Sequence, residues 1–224
     1  MAASASIYFF AGDFVDVLQR HENGAEQIYA THDEVAKLAK DLVEKGVELT
    51  IYSFMTSEAR EDRPVDGLRI VSLGAQRFDQ GALLKQAVAE DRADTIVAHF
   101  PSISLLRSVI RSSNNRAMAV LANSYRTKGI GPWLERAQVA QLLNNPRWEF
   151  VSDHCIPATS QLAAMGVPKN RLIPWNIPLR FDPKDSPTKT LRQPKEYRAA
   201  YAGGIRANNS LLCGPSHGSS KRYC

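Results

Sequence analysis

Between residues 6 and 173, short apolar runs alternate with longer amphipathic ones. Such alternation predicts βα units. Residues 6–11 read as a first strand. A helix follows over 34–45, where Val35, Leu38, Ala39, Leu42 and Val43 share one face and Lys37, Lys40, Asp41 and Glu44 lie outside it. Gly46 suits its end, because glycine takes a left-handed conformation without a Cβ clash. The stretches 47–54 and 68–73 predict the next two strands. A helix over 81–89 leads to a largely apolar strand over 95–98, as expected of a buried parallel strand. Helices over 104–111, 133–143 and 158–165 then alternate with strands over 118–122, 148–151 and 171–173. Each crossover between parallel strands needs a helix, so the pattern implies one parallel sheet covered on both faces. The fold class read from it is α/β, a Rossmann-like doubly wound parallel sheet over residues 1–178.

The character changes after Pro178. Residues 179–196 are polar and proline-punctuated and read as a linker. Residues 197–207 look like the first strand of a second domain. Residues 208–224, rich in Ser, Gly and Pro, lack the apolar content to order themselves and are expected to be disordered.

Composition narrows the class. A chain of 224 residues with 44% hydrophobic and 23% charged residues is an ordinary globular protein. Its net charge of +5 is spread among acids along the chain, which argues against nucleic-acid binding and leaves room for an anionic ligand or a peripheral membrane contact. Cys155, Cys213 and Cys224 form no CxxC pair. The five histidines show no HExxH spacing, so no metal site is expected. The start of the chain lacks a basic n-region and a long apolar run, so a cytoplasmic protein without a spanning segment is expected.

In order, several segments resemble the N-terminal, acceptor-side domain of a GT-B glycosyltransferase, specifically the retaining GT4 family. They are Asn23-Gly24-Ala25-Glu26 before the first predicted helix and Gly46-Val47-Glu48-Leu49-Thr50 after it, then Ala98-His99-Phe100-Pro101. Val151-Ser152 follow, with Leu162-Ala163-Ala164-Met165-Gly166-Val167-Pro168, Arg171-Leu172-Ile173-Pro174 and finally Tyr201-Ala202-Gly203-Gly204-Ile205. The resemblance runs over residues 5–207. It departs from the family in three places. The interval from Gly24 to Gly46 is long, making 27–33 an insertion or a reshaped loop. The strand ending at Ala122-Asn123-Ser124-Tyr125 lacks the histidine many members place there. The donor-binding domain, with its paired glutamates, does not follow, and the compositional break near Asn208-Asn209 leads us to expect a frameshift or a premature stop.

The resemblance implies transfer of a sugar from a nucleotide-sugar donor to an acceptor hydroxyl, with retention. The donor would bind the absent half, so this chain alone is expected to be inactive and to hold no cofactor itself. A sugar or lipid-linked acceptor is the expected partner, and self-association through an exposed interdomain face is expected as well. The alternative is a non-catalytic module that binds a glycan, an acceptor or a partner protein.

Candidate residues follow. His99 ends a predicted parallel strand, where open α/β sheets place ligands, and an imidazole there could orient or deprotonate an acceptor hydroxyl; a histidine held by backbone groups is the plainer alternative. Asn123, the second catalytic candidate, shares that edge with Tyr125 and Arg126, and all three offer hydrogen bonds to a sugar or anion. Gly24 and Ala25 could let backbone N–H groups approach a phosphate at a helix N-terminus, or Gly24 could serve only a turn. Thr31 or Asp33 is expected to cap the first predicted helix beside His32. In Asp153-His154-Cys155, the side chains are expected to point apart, with Asp153 as a helix N-cap and Cys155 buried. Trp133 reads as a core or loop-packing residue, or as a surface for a sugar ring or membrane.

Overall fold

The computed structural model describes residues 3–9, 12–74, 81–112, 116–122, 125 and 130–174. Its elements alternate as β1 (Ser4–Phe9), α1 (Phe14–Glu22), α2 (Ala30–Glu44), β2 (Glu48–Ser53), β3 (Ala59–Val65), β4 (Leu68–Leu73) and α3 (Gly81–Glu90). Then come β5 (Thr95–Ala98), α4 (Ile103–Arg111), β6 (Arg116–Leu121), α5 (Ile130–Leu143), β7 (Trp148–Asp153) and α6 (Ile156–Ala164). The seven strands form one sheet in the order β3-β4-β2-β1-β5-β6-β7. Every pairing is parallel except β3 with β4. This is a Rossmann-like α/β domain.

The winding direction reverses at β1. From it the chain steps outward to β2 and β4, then returns to add β5, β6 and β7 on the other side. The chain leaving β1 therefore packs α1 on one face of the sheet and the chain leaving β5 packs α4 on the other, the arrangement at which open α/β sheets bind ligands.

Two apolar cores hold the layers. Leu84 and Val88 of α3, Leu105, Leu106 and Val109 of α4, Val139 and Leu143 of α5 and Leu162 of α6 pack on one face of the sheet around Ile96, Ala119 and Trp148. On the other face, α1 and α2 contribute Phe14, Val17, Leu18, Val35 and Ala39 against Ile7, Ile51 and Ile70. The expectation of two covered faces holds only in part among the described residues. Beyond α2, the second face leaves Val97, Met118, Val120 and Phe150 half-buried.

Four local readings need correction. Residues 14–22, read as loop, form α1: Asp13 caps it by accepting from the Val15 N–H, and Phe14, Val17 and Leu18 make its buried stripe. Helix α2 begins at Ala30, not residue 34, so the segment read as an insertion is partly helical. Residues 59–65, not read as an element, form β3, an edge strand of alternating charge whose Glu61 takes Arg63 and Arg69. The short strand read at 171–173 is a 3-10 turn, Lys169–Arg171, followed by a single bridge from Leu172 to Val151. The linker at 179–196, the segment 197–207 and the tail 208–224 lie outside the described residues, as do Asn123 and Arg126.

Gly74, which ends β4, carries a specific constraint. Its φ is +64°, and a Cβ there would sit 2.9 Å from the backbone nitrogen of Ala59. Backbone cannot swing aside as a flexible side chain can. Gly74→Ala is therefore expected to destabilise the fold by about 2 kcal/mol, read as a lower urea midpoint with unchanged slope. An unchanged midpoint would show that the β3–β4 hairpin yields freely.

Candidate functional site at the switch point

His99 follows β5 directly and lies at the reversal of the sheet. Its N–H donates to the Tyr8 carbonyl, extending the β1–β5 ladder by one bond. Its Nδ1 lies 2.8 Å from the Val120 carbonyl oxygen. A carbonyl only accepts, so Nδ1 carries the proton and Nε2 is the acceptor nitrogen. The ring stacks on Phe9, at the end of β1, with centroids 5.9 Å apart. Three strands thus fix one imidazole.

Burial pushes the His99 imidazole down to about 4 from its usual 6.5. The bond to the Val120 carbonyl works against that shift, and nearby His32 adds to it. The ring is therefore neutral at neutral pH. A conjugate acid that strong makes a poor proton acceptor for a hydroxyl. Of the two roles read from the sequence, the geometry favours orienting a donor O–H over removing its proton.

His32 is buried in the first turn of α2, 5.7 Å from the Phe9 ring and 5.0 Å from the Tyr29 ring. The capping expectation at this end fails. Tyr29 occupies the N-cap without a side-chain bond, and Asp33 instead meets Nδ1 of His21 on α1 at 3.2 Å. The sequence offers His32 only as a neighbour of that supposed cap.

The glycine that opens the β1–α1 turn is Gly12, with φ +125°, not Gly24. Gly24 closes α1 from its carboxyl end. Its N–H donates to the His21 carbonyl and that of Ala25 to the Arg20 carbonyl, a Schellman pair. The helix end beside Gly24 carries negative partial charge, which opposes the phosphate argument. Gly24 and Ala25 lie about 13 Å along α1 from its start, at 1.5 Å per residue. Asp13 does stand at that start, with Oδ2 taking Arg60 of β3 at 2.7 Å.

Tyr125 is buried, and its N–H donates to Oε1 of Gln161. Its hydroxyl is shut away from solvent and has no hydrogen-bond partner among the described residues. Burial, reinforced by Asp153 and Glu135, holds the phenol well above its ordinary range. A direct sugar contact from this hydroxyl does not fit that placement. Asp153 is fully buried at the end of β7 and accepts from the His154 N–H. The adjacent His154 ring turns back to it, Nδ1 to Oδ1 2.8 Å, so these two side chains do not point apart. Cys155, not Asp153, occupies the N-cap of α6, and it is half-buried and free.

Apolar side chains gather at this same edge by topology. Tyr29 precedes α2, Met55 follows β2 with φ +61°, Ile130, Trp133 and Leu134 open α5, and Ile156 opens α6; all six are exposed. Trp133 is 63% exposed and is no core residue. Among the described residues, no group of three or more His, Cys, Asp or Glu is placed to hold a metal ion, and no helix is long and apolar enough to cross a membrane.

No protein-family model matches the chain, and no curated protein matches it. Among solved structures, it is similar to a sucrose-phosphate synthase from Thermosynechococcus elongatus, with a TM-score of 0.52 at 13% identity. The match covers 77% of this chain and 48% of that one, so the chain corresponds to about half of the synthase. The domain has a GT-B-like fold, and at that identity the likeness is one of fold.

Proposed function

We propose that this domain is the acceptor-side half of a nucleotide-sugar-dependent glycosyltransferase of the retaining GT4 type. The observation that supports the reading most is the fold shared with about half of a sucrose-phosphate synthase, in a sheet whose switch point carries His99. The exposed apolar side chains along the same edge, from Tyr29 to Ile156, suit a wall that a second domain covers.

In this reading the switch point binds an acceptor sugar, and Nε2 of His99 accepts from its hydroxyl. The neutral imidazole orients the nucleophile without competing for its proton. Phe9 and the Val120 carbonyl hold the ring, so little freedom is lost on binding. The donor diphosphate, whose stabilisation supplies much of the rate in such transfers, belongs to a second domain.

Ligand-observed NMR with free hexoses, hexose phosphates, UDP and NAD tests the reading. A sugar of the hexose class should bind saturably, with His99→Ala weakening it about tenfold, the value of one hydrogen bond. UDP and NAD should not bind. Tight binding of either nucleotide with no sugar bound would replace this reading with a nucleotide-dependent Rossmann enzyme.

A further inference from the structure

The seam between α3 and α4 opens into a groove of about 600 Å³, whose lining does not include His99. Lys85 and Arg92 line it from one side and Arg107 and Arg111 from the other, with Ser104 and Ser108 between. On α4 these four positions, 104, 107, 108 and 111, form one stripe, while Leu105, Leu106 and Val109 are buried behind it.

The charges in the groove are unbalanced. Several cations of the domain meet acids, among them Arg60 with Asp13, Arg69 with Glu61, Arg116 with Glu149 and Lys40 with Glu22, while others scattered over the surface, such as Lys37 and Lys169, do not; the groove differs in gathering four cations on one seam. Lys85, Arg107 and Arg111 have no carboxylate partner among the described residues. Two carboxylates do line the groove, and both are engaged. Asp91 accepts from the Ser6 and Tyr8 hydroxyls and the Ala93 N–H, and Asp94 accepts from the Ser4 N–H and hydroxyl. Like charges one helical turn apart repel, and α4 carries no acid to offset Arg107 and Arg111. The helix dipole accounts for Arg111 in the last turn, but not for Arg107 or Lys85.

We infer that this groove is a binding site for a phosphate-bearing anion, a phosphomonoester or diphosphate. Guanidinium groups take phosphate oxygens in pairs, and the serine hydroxyls between them supply further donors. The volume suits a small phosphate ester or a single lipid headgroup. The site is independent of the acceptor site and of the activity proposed for it.

Two probes separate the sources of that phosphate. Calorimetry with inorganic pyrophosphate reads a soluble ligand. Co-sedimentation with phosphatidylcholine vesicles, with and without phosphatidic acid, reads a headgroup. Wild type should bind at least one probe, and Arg107→Glu with Arg111→Glu should weaken it by tenfold or more. Binding of pyrophosphate alone assigns a soluble ester, and binding of phosphatidic acid vesicles alone assigns a membrane headgroup. Both arginines are exposed, so thermal melting should be little changed. If the double reversal melts early, Arg107→Gln with Arg111→Gln replaces it, with a smaller loss expected. Binding of neither probe by wild type overturns the inference, as does equal binding by a folded variant.

Discussion

Trp148→Ala lowers the folding free energy by about 4 kcal/mol, the middle of the range for losing a buried aromatic side chain. Trp148 starts β7, is 1% exposed and is the largest fully buried side chain among the described residues. It packs in the core shared by α3, α4, α5 and α6, so a cavity there loosens the whole of that layer. Its Nε1–H also donates to the Leu142 carbonyl near the end of α5, at 3.0 Å. Alanine leaves that carbonyl without its indole donor as well as opening the cavity. Trp148→Phe separates the two effects: it refills most of the volume and loses only the donor, at about 1–2 kcal/mol. Urea unfolding of the three proteins reads both numbers. Equal losses in the two variants would show that the hydrogen bond, not the cavity, dominates.

The second expectation concerns acid. Unfolded, the His99 imidazole titrates near its usual 6.5; folded, burial brings it to about 4. Between those values the unfolded chain binds the proton and the native chain does not. Stability from this group is therefore full above 6.5, falls as pH drops, and is lost once pH passes the folded value. The loss is on the order of 3 kcal/mol. Carboxyl groups in general titrate in the same region, so the test is a difference. Urea midpoints near neutral pH and near pH 4 are compared for wild type and His99→Gln, whose amide can still donate to Val120. The acid-induced loss should be smaller in the variant, with His32 left in place in both. An identical loss would show that His99 accepts its proton without strain on the fold.

How much of this was legible depended on where a residue's neighbours come from. Strands β4 and β5 match their sequence readings to the residue, because each is a β-rich run bounded by turn residues. Helix α1 escaped notice although its signals are present: Asp13 as a cap, then apolar residues at 14, 17 and 18. Nine residues with charges on the outer side are short for a periodicity to stand out. Strand β3 offers no apolar face at all and contains Pro64, so only its two-residue Asp66-Gly67 link to β4 hints at a hairpin. Missing α1 also misplaced Gly24. Without that helix, Gly24 reads as a loop residue before α2; with it, Gly24 is a C-terminal closure and Gly12 opens the first turn.

His99 could be singled out because it ends a buried strand. Its depressed basicity could not be read, because Phe9, His32 and Val120 arrive from three other elements. The same limit applies to Tyr125. Its sequence neighbourhood suggested a ligand contact, and only the fold shows that Gln161 and Asp153 enclose it.

Amide chemical-shift mapping of the bound acceptor tests the central claim most directly. Titrating a labelled chain with the best-binding hexose should move amides at the carboxyl ends of the strands, around Phe9, Gly12, His99 and Ser152, and leave the α3–α4 seam still. Shifts confined to other surfaces, or none with any sugar, would contradict the placement of an acceptor site at the switch point.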